Sequence, residues 1–187
     1  MNKPLLPLAK LNFKSEFGAL SVCANAEGIT HVNFIPQQGD EWLSREVDTN
    51  QALMGAGACA ENGGCDSYHL AKQHLLQAQL ELTEYFDGAR RQFEVKLAPK
   101  GTEFQCQVWH ALSELEYGES CSYADIASRI NRPKAVRAVG TANGANPIAI
   151  IVPCHRVIGK NGTLTGYAYG IDLKQKLLKL EGLNSKG

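Results

Sequence analysis

The 187-residue chain carries 19 Lys+Arg against 19 Asp+Glu, is 44% hydrophobic and holds six cysteines. That length supports one sound core or two small ones, and zero net charge excludes a tight binder that relies on charge alone. No apolar run approaches the roughly 18 residues of a membrane span and no signal peptide is evident, so a cytoplasmic protein with reduced thiols and no membrane partner is expected.

In chain order, Phe13 to Val22 and Gly28 to Phe34 read as short strands joined through a turn, and Met54 to Asp66 as a small-residue loop. Ala71, Leu75, Ala78, Leu82 and Tyr85 recur at helical spacing, and Asp87-Gly88 ends that helix. Phe93 to Leu97 reads as a strand and Ala98 to Gly101 as a linker. Cys23, Cys59, Cys65, His31, His69 and His74 match no common metal-ligand spacing, so neither metal nor cofactor is expected. The linker divides the chain into an N-terminal α/β domain, 1–98, and a C-terminal domain, 99–187. Residues 1–100 hold 9 Lys+Arg against 12 Asp+Glu and residues 101–187 hold 10 against 7, so only the second half, at +3, offers a modest footprint for a polyanion.

Thr102 with Gln105 resembles a capping box that opens a helix with Phe104, Val108, Leu112 and Leu115 inward. Ser122 with Asp125 resembles a second, opening a short helix with Ala127 and Ile130 inward. Asn131-Arg132-Pro133 breaks it. Pro133 suits the first turn of the next helix, whose buried stripe is Ala135, Ala138, Val139 and Ala142, with Lys134, Arg137 and Thr141 on the other face. Two short helices about a tight turn, the second basic on its outer side, read as a DNA-binding helix-turn-helix or as an ordinary helical hairpin.

Ile148 to Val152 reads as a buried strand that Pro153 ends, setting Cys154 at its mouth beside His155 and Arg156. Electropositive surroundings of that kind lower a thiol pKa. A Gly-rich loop follows, Gly159 to Gly170, in which Tyr167 and Tyr169 can stack on a flat ligand. The last helix, Leu173 to Glu181, is stopped by Gly182 and buries Leu173, Leu177 and Leu180. Glu181 lies at the unfavourable end of the helix dipole and calls for a partner, for which a histidine N–H is a good candidate.

The run Pro153-Cys154-His155-Arg156-Val157, with Asn146-Pro147, Gly166-Tyr167, Glu181-Gly182 and Arg132 to Gly140, closely resembles the O6-alkylguanine-DNA alkyltransferase family over roughly residues 101 to 182. The resemblance implies a small ribonuclease H-like N-terminal sheet domain and a mostly helical C-terminal domain with a helix-turn-helix and a short active-site strand. It implies a monomer that flips O6-alkylguanine out of duplex DNA and takes the alkyl group irreversibly on Cys154, with O4-alkylthymine as a second substrate. His155 would be the base, through a water, Glu181 would orient it, and Tyr123 would crowd the target phosphate and hydrogen-bond the flipped base. Arg137 would fill the gap in the base stack. DNA contacts are implied for Gln105, Arg132, Lys134, Ala135, Thr141 and Lys160, and a substrate pocket from Gly140, Asn146, Val157, Tyr167, Ala168 and Tyr169.

Tyr169 stands where the family usually has the first of two glycines, and Ala168 where some relatives have a serine that contacts O6. A narrower pocket mouth follows, accepting methyl adducts better than benzyl. Two other classes compete: a lesion-binding module, which lacks the cysteine, and a cysteine hydrolase using Cys154, His155 and Glu181, which needs neither Arg137 nor DNA.

Overall fold

The computed structural model describes residues 7–35 and 64–183. The chain forms two compact units, Met1–Glu84 with Glu94–Pro99, and Tyr85–Phe93 with Lys100–Gly187.

The first unit holds an antiparallel sheet in the order β1 (Ala9–Ser15), β2 (Gly18–Asn25), β3 (Gly28–Ile35). The stretch from Phe13 to Val22 is therefore two strands, because Ser15 turns the chain. Its hydroxyl accepts the Phe17 N–H and donates to the Gly18 carbonyl, closing a two-residue loop at Glu16-Phe17. Leu20, Val22, Ile29 and Val32 are fully buried in this sheet. Gly28 sits at φ 154°, and a side chain there would collide with the Lys96 backbone. That close approach lets Ile29 exchange hydrogen bonds with Lys96 and Ala98 at 2.8 and 2.7 Å. The expected strand from Phe93 to Leu97 is thus only a single parallel bridge between Ile29 and Leu97.

Helix α1 (Gly64–Phe86) buries Ala71, Leu75, Ala78, Leu82 and Tyr85, the predicted stripe, and stops at Gly88 in the left-handed region. The helix begins at Gly64, within the stretch to Asp66 that the sequence presents as a small-residue loop. The rest of that loop, with Cys59, lies outside the described residues. On the same helix, buried Glu81 accepts the N–H groups of Glu94 and Val95.

The second unit is mostly helical, with one two-stranded parallel sheet. Thr102 and Gln105 form the capping box of α2 (Glu103–Ser113), which buries Val108, Trp109, Ala111 and Leu112 while Phe104 is half-buried. Strand β4 (Cys121–Ser122) leads directly into α3 (Tyr123–Arg129), whose capping box is Ser122 and Asp125. Ile126 and Ala127 are buried there, whereas Ile130, expected inward, is the half-buried C-cap. Asn131 (φ 57°) takes the left-handed position that glycine usually fills. The N–H groups of Asn131 and Arg132 then bond the Ser128 and Ala127 carbonyls, which is a Schellman ending.

Pro133 does not enter the next helix. Ala135 N–H bonds the Arg132 carbonyl, so Pro133 presets a tight turn and α4 runs only from Val136 to Gly144. Its buried residues are Val139, Ala142 and Asn143. Ala135 is half-buried and Ala138 exposed: Ala135 is the N-cap, ahead of the helix, and Val139, Ala142 and Asn143 at i, i+3 and i+4 define the buried face. Trp109 Nε1 donates to the Ala142 carbonyl at 2.8 Å and ties α4 to α2.

Ile148 to Val152 is buried but is not a strand. Asn146 spans the segment, with Nδ2 on the Ile148 and Val152 carbonyls at 3.2 and 2.8 Å and Oδ1 on the Ile148 N–H. Those bonds replace a strand's ladder, and Ile150 is forced to φ 72°, a costly conformation for a β-branched residue. A 3-10 turn follows at Cys154–Arg156. The strand comes after the cysteine, as β5 (Val157–Ile158), pairing with β4. The Gly-rich loop has no regular structure beyond an isolated bridge, and α5 (Ile171–Leu180) closes the described chain.

Candidate active site

The site is assembled from the 3-10 turn, the brace before it and the last turn of α5. Cys154, His155 and Arg156 are all buried. Because the turn replaces a strand, alternation of side chains between two faces does not apply here, and the two reactive groups are set by the turn and by Asn146. Burial pushes the Cys154 thiol up. A hydrogen bond from Asn146, the Lys174 charge and the backbone N–H groups of Cys154 and His155 oppose that rise.

Glu181 is the C-cap of α5, and Gly182 at φ 79° gives the helix a Schellman ending through the bonds of Gly182 to Lys179 and Leu183 to Leu178. Its carboxylate points into the unit and collects donors. His155 Nε2 donates to Oε1 at 2.9 Å, Arg156 Nε to Oε2 at 2.7 Å and Arg156 Nη2 to Oε1 at 3.0 Å. Tyr85 and the Gly118 N–H add bonds of 2.7 and 3.3 Å. Burial disfavours the charge, but the bonds and charges of His155 and Arg156 outweigh it and hold the carboxyl at about 2.

An ionised Glu181 accepts only, so the proton on Nε2 of His155 is fixed and Nδ1 keeps its lone pair. Nδ1 is buried and has no protein partner. Burial pushes the imidazole pKa down, Glu181 pulls it up, and Arg156 and Lys174 push it down again, for a net lowering that leaves the ring neutral at pH 7. The arrangement can accept a proton at Nδ1.

Two features were not read from the sequence. Arg156 is spent on Glu181 and on the Leu115 carbonyl at 2.6 Å, so it is not the cation at the thiol. That place belongs to Lys174, which is fully buried and donates to the Val157 and Thr165 carbonyls at 2.6 and 2.8 Å. The buried stripe of α5 is Lys174, Leu177, Leu178 and Glu181, while Leu173 and Leu180, expected inward, are half-buried. The spacing i, i+3, i+4, i+7 carried this signal, but a lysine within it reads as the polar edge. Asn143, also buried, donates to the Cys154 carbonyl at 3.4 Å.

Among the expected pocket residues, Val157 is fully buried and Tyr167 is half-buried with a sequestered hydroxyl that lacks a partner. The Tyr167 and Tyr169 rings meet edge to face at 5.5 Å, and Ala168 between them is exposed. Tyr123 is half-buried, its hydroxyl accepts from Thr165 at 3.4 Å, and its ring lies close to Gly140. Of the expected DNA contacts, Lys134, Arg137, Thr141 and Lys160 are exposed. Arg132 stacks on the Phe104 ring at 5.6 Å. Gln105 Oε1 is taken by the Thr102 N–H, which leaves only its amide N–H groups for a ligand. No three metal-ligating side chains converge among the described residues, and none of their helices is long and apolar enough to cross a membrane.

Comparison with known proteins identifies the family. Residues 10–99 match the ribonuclease-like domain of 6-O-methylguanine DNA methyltransferase and residues 103–183 its DNA-binding domain. A methylated-DNA–protein-cysteine methyltransferase of Methanosarcina acetivorans is 45% identical over 175 residues, covering 91% of this chain and 96% of that protein. The inducible enzyme of that name from Bacillus subtilis is 58% identical over 102 residues, covering 54% of this chain and 57% of the relative. The crystal structure of Mycobacterium tuberculosis OGT in complex with DNA superposes with a TM-score of 0.68 at 38% identity, covering 91% of this chain and 90% of that one. With both domain types matched in order and nearly the whole of an established relative covered, the chain belongs to the methylated-DNA–protein-cysteine methyltransferase family.

Proposed function

We propose that this protein repairs O6-alkylguanine in double-stranded DNA by moving the alkyl group onto the sulfur of Cys154, once per molecule. The observation that carries the reading is the His155 to Glu181 hydrogen bond, which leaves Nδ1 as the basic atom in the same buried turn as the thiol.

The alkyl carbon lies on a stacked, paired base, so a buried sulfur reaches it only if the nucleotide is flipped out, at about a few kcal/mol. Arg137, exposed on α4, offsets that by filling the gap in the stack, and the neighbouring Lys134, Thr141 and Arg132 hold the backbone. The cysteine proton passes through a water to Nδ1 of His155, and Glu181 stabilises the imidazolium that forms. The Lys174 ammonium and the Asn146 hydrogen bond stabilise the thiolate. Sulfur attacks the alkyl carbon, the C–O6 bond breaks, and the electron pair leaves with guanine, which takes a proton at a ring nitrogen from Tyr123. The product thioether is not hydrolysed, so the protein is consumed. The Tyr167–Tyr169 pair borders the base pocket, and the site works in the cytoplasm without a cofactor.

Intact mass after incubation with duplex DNA containing O6-methylguanine tests this. The expected gain is one methylene, about 14 Da, mapped to Cys154 and absent in Cys154→Ser. Lesion binding without a mass change would make the protein a recognition module, and turnover of an ester without DNA would make it a hydrolase.

A further inference from the structure

Tyr85 lies in the last turn of α1, within the second unit, and is fully buried. Its hydroxyl donates to Oε1 of Glu181 at 2.7 Å, and that same oxygen accepts His155 Nε2 at 2.9 Å. Phe86, Phe93 and Tyr117 surround the Tyr85 ring at centroid distances of 5.7, 5.5 and 6.1 Å, so the phenol is held by packing. Burial first, and the Glu181 charge second, keep its pKa far above the usual tyrosine value, so it can only donate.

We propose that Tyr85 is a positioning residue for alkyl transfer: its hydroxyl completes the donor set on Oε1 of Glu181 and moderates the charge seen by His155. The proposal rests on His155 acting as the base. A carboxylate with two anchored oxygens has one orientation, and Arg156 spans both oxygens from one side. Tyr85 supplies the remaining neutral donor on Oε1. Removing it concentrates negative charge next to Nε2, which favours the imidazolium and reduces the fraction of His155 able to take the thiol proton. The charged groups facing this pair are Arg156 in the 3-10 turn and Lys174 on α5, and Tyr117 packs against the Tyr85 ring. None of them is altered by the substitution.

Single-turnover methyl transfer from duplex DNA, followed from pH 5 to 9 for wild type, Tyr85→Phe and Tyr117→Phe, tests the idea. Phenylalanine keeps the ring packing and deletes only the hydroxyl. Tyr117→Phe is the control, since its hydroxyl bonds the Leu180 carbonyl in the same aromatic cluster. Tyr85→Phe should move the acidic limb of the rate profile to higher pH by about half a unit, a threefold change in the protonation ratio. The control should lower thermal stability without moving that limb. An unshifted limb in Tyr85→Phe, or equal shifts in both variants, would overturn the proposal. A wild type that gains no methyl group would instead remove the reading of His155 on which it stands.

Discussion

Lys174 donates to the Val157 carbonyl at 2.6 Å from a fully buried position, and no carboxylate pairs with it among the described residues. A buried cation normally demands a counter-charge. Burial lowers its pKa to about 8, and Cys154 is the ionisable group whose charge opposes that fall. A Cys154 thiolate would be the counter-charge of this ammonium. Lys174→Met should raise the thiol pKa and slow methyl transfer at pH 7 about tenfold, equivalent to about 1.4 kcal/mol. In wild type the rate should decline above about pH 8 as the ammonium is lost, and that decline should be absent in the variant. Stopped transfer at stepped pH, with iodoacetamide reactivity reporting the thiol, checks both.

Glu181 carries the acid response. Its carboxyl is held at about 2 in the fold, below its value in an unfolded chain, so its contribution is complete above roughly pH 4.3 and lost as pH falls toward 2. Glu181→Gln should flatten the stability profile in that window. At neutral pH it should cost about 3–5 kcal/mol, because Arg156 is left buried without its anion. Urea unfolding between pH 2 and 7 measures both effects, and unchanged stability at pH 7 would contradict the account.

On the proposed reading, Arg137, exposed on α4, serves the nucleic acid rather than the chemistry. Arg137→Ala should slow repair of duplex DNA by about 10- to 100-fold, consistent with about 1.4–2.8 kcal/mol of extrahelical stabilisation. The same variant should react with the isolated O6-alkylguanine base at the wild-type rate. Equal losses on both substrates would place the arginine's role elsewhere.

Tyr169 meets Tyr167 edge to face, and on the proposed reading this pair borders the pocket mouth. Tyr169→Gly should raise the benzyl-to-methyl transfer ratio several-fold, on the order of the roughly 10-fold that one badly placed apolar group costs. Competition between the two adducts in one reaction gives the ratio directly, and an unchanged ratio would exclude a gating role.

Local signals were legible in the sequence. Both capping boxes, the α1 stripe and the Gly182 stop each depend on residues within a turn or two of one another, and each stands as read. The apolar run before Pro153 reads as a strand and is a buried turn, because five consecutive apolar residues look alike in either. What decides between them is the amide of Asn146, which supplies the bonds a neighbouring strand would have given. Tyr85 to Glu181 spans 96 residues, and Arg156 to Leu115 spans 41, so no spacing rule announces either. Residue type and family pattern single out Cys154, His155 and Glu181, and the structure brings His155 and Glu181 together. Lys174 was hidden, since a lysine at a core position contradicts the pattern that locates the core.

The Schellman ending at Gly182 also has a consequence for synthesis of the chain. Thiol and imidazole leave the ribosome together, 26 residues before the carboxylate that fixes the imidazole proton. A nascent chain that stalls between them presents a cysteine without an oriented base and an arginine without its anion. The buried donor set around Glu181 is thus complete only once the last turn of α5 has been made, after α3 and α4.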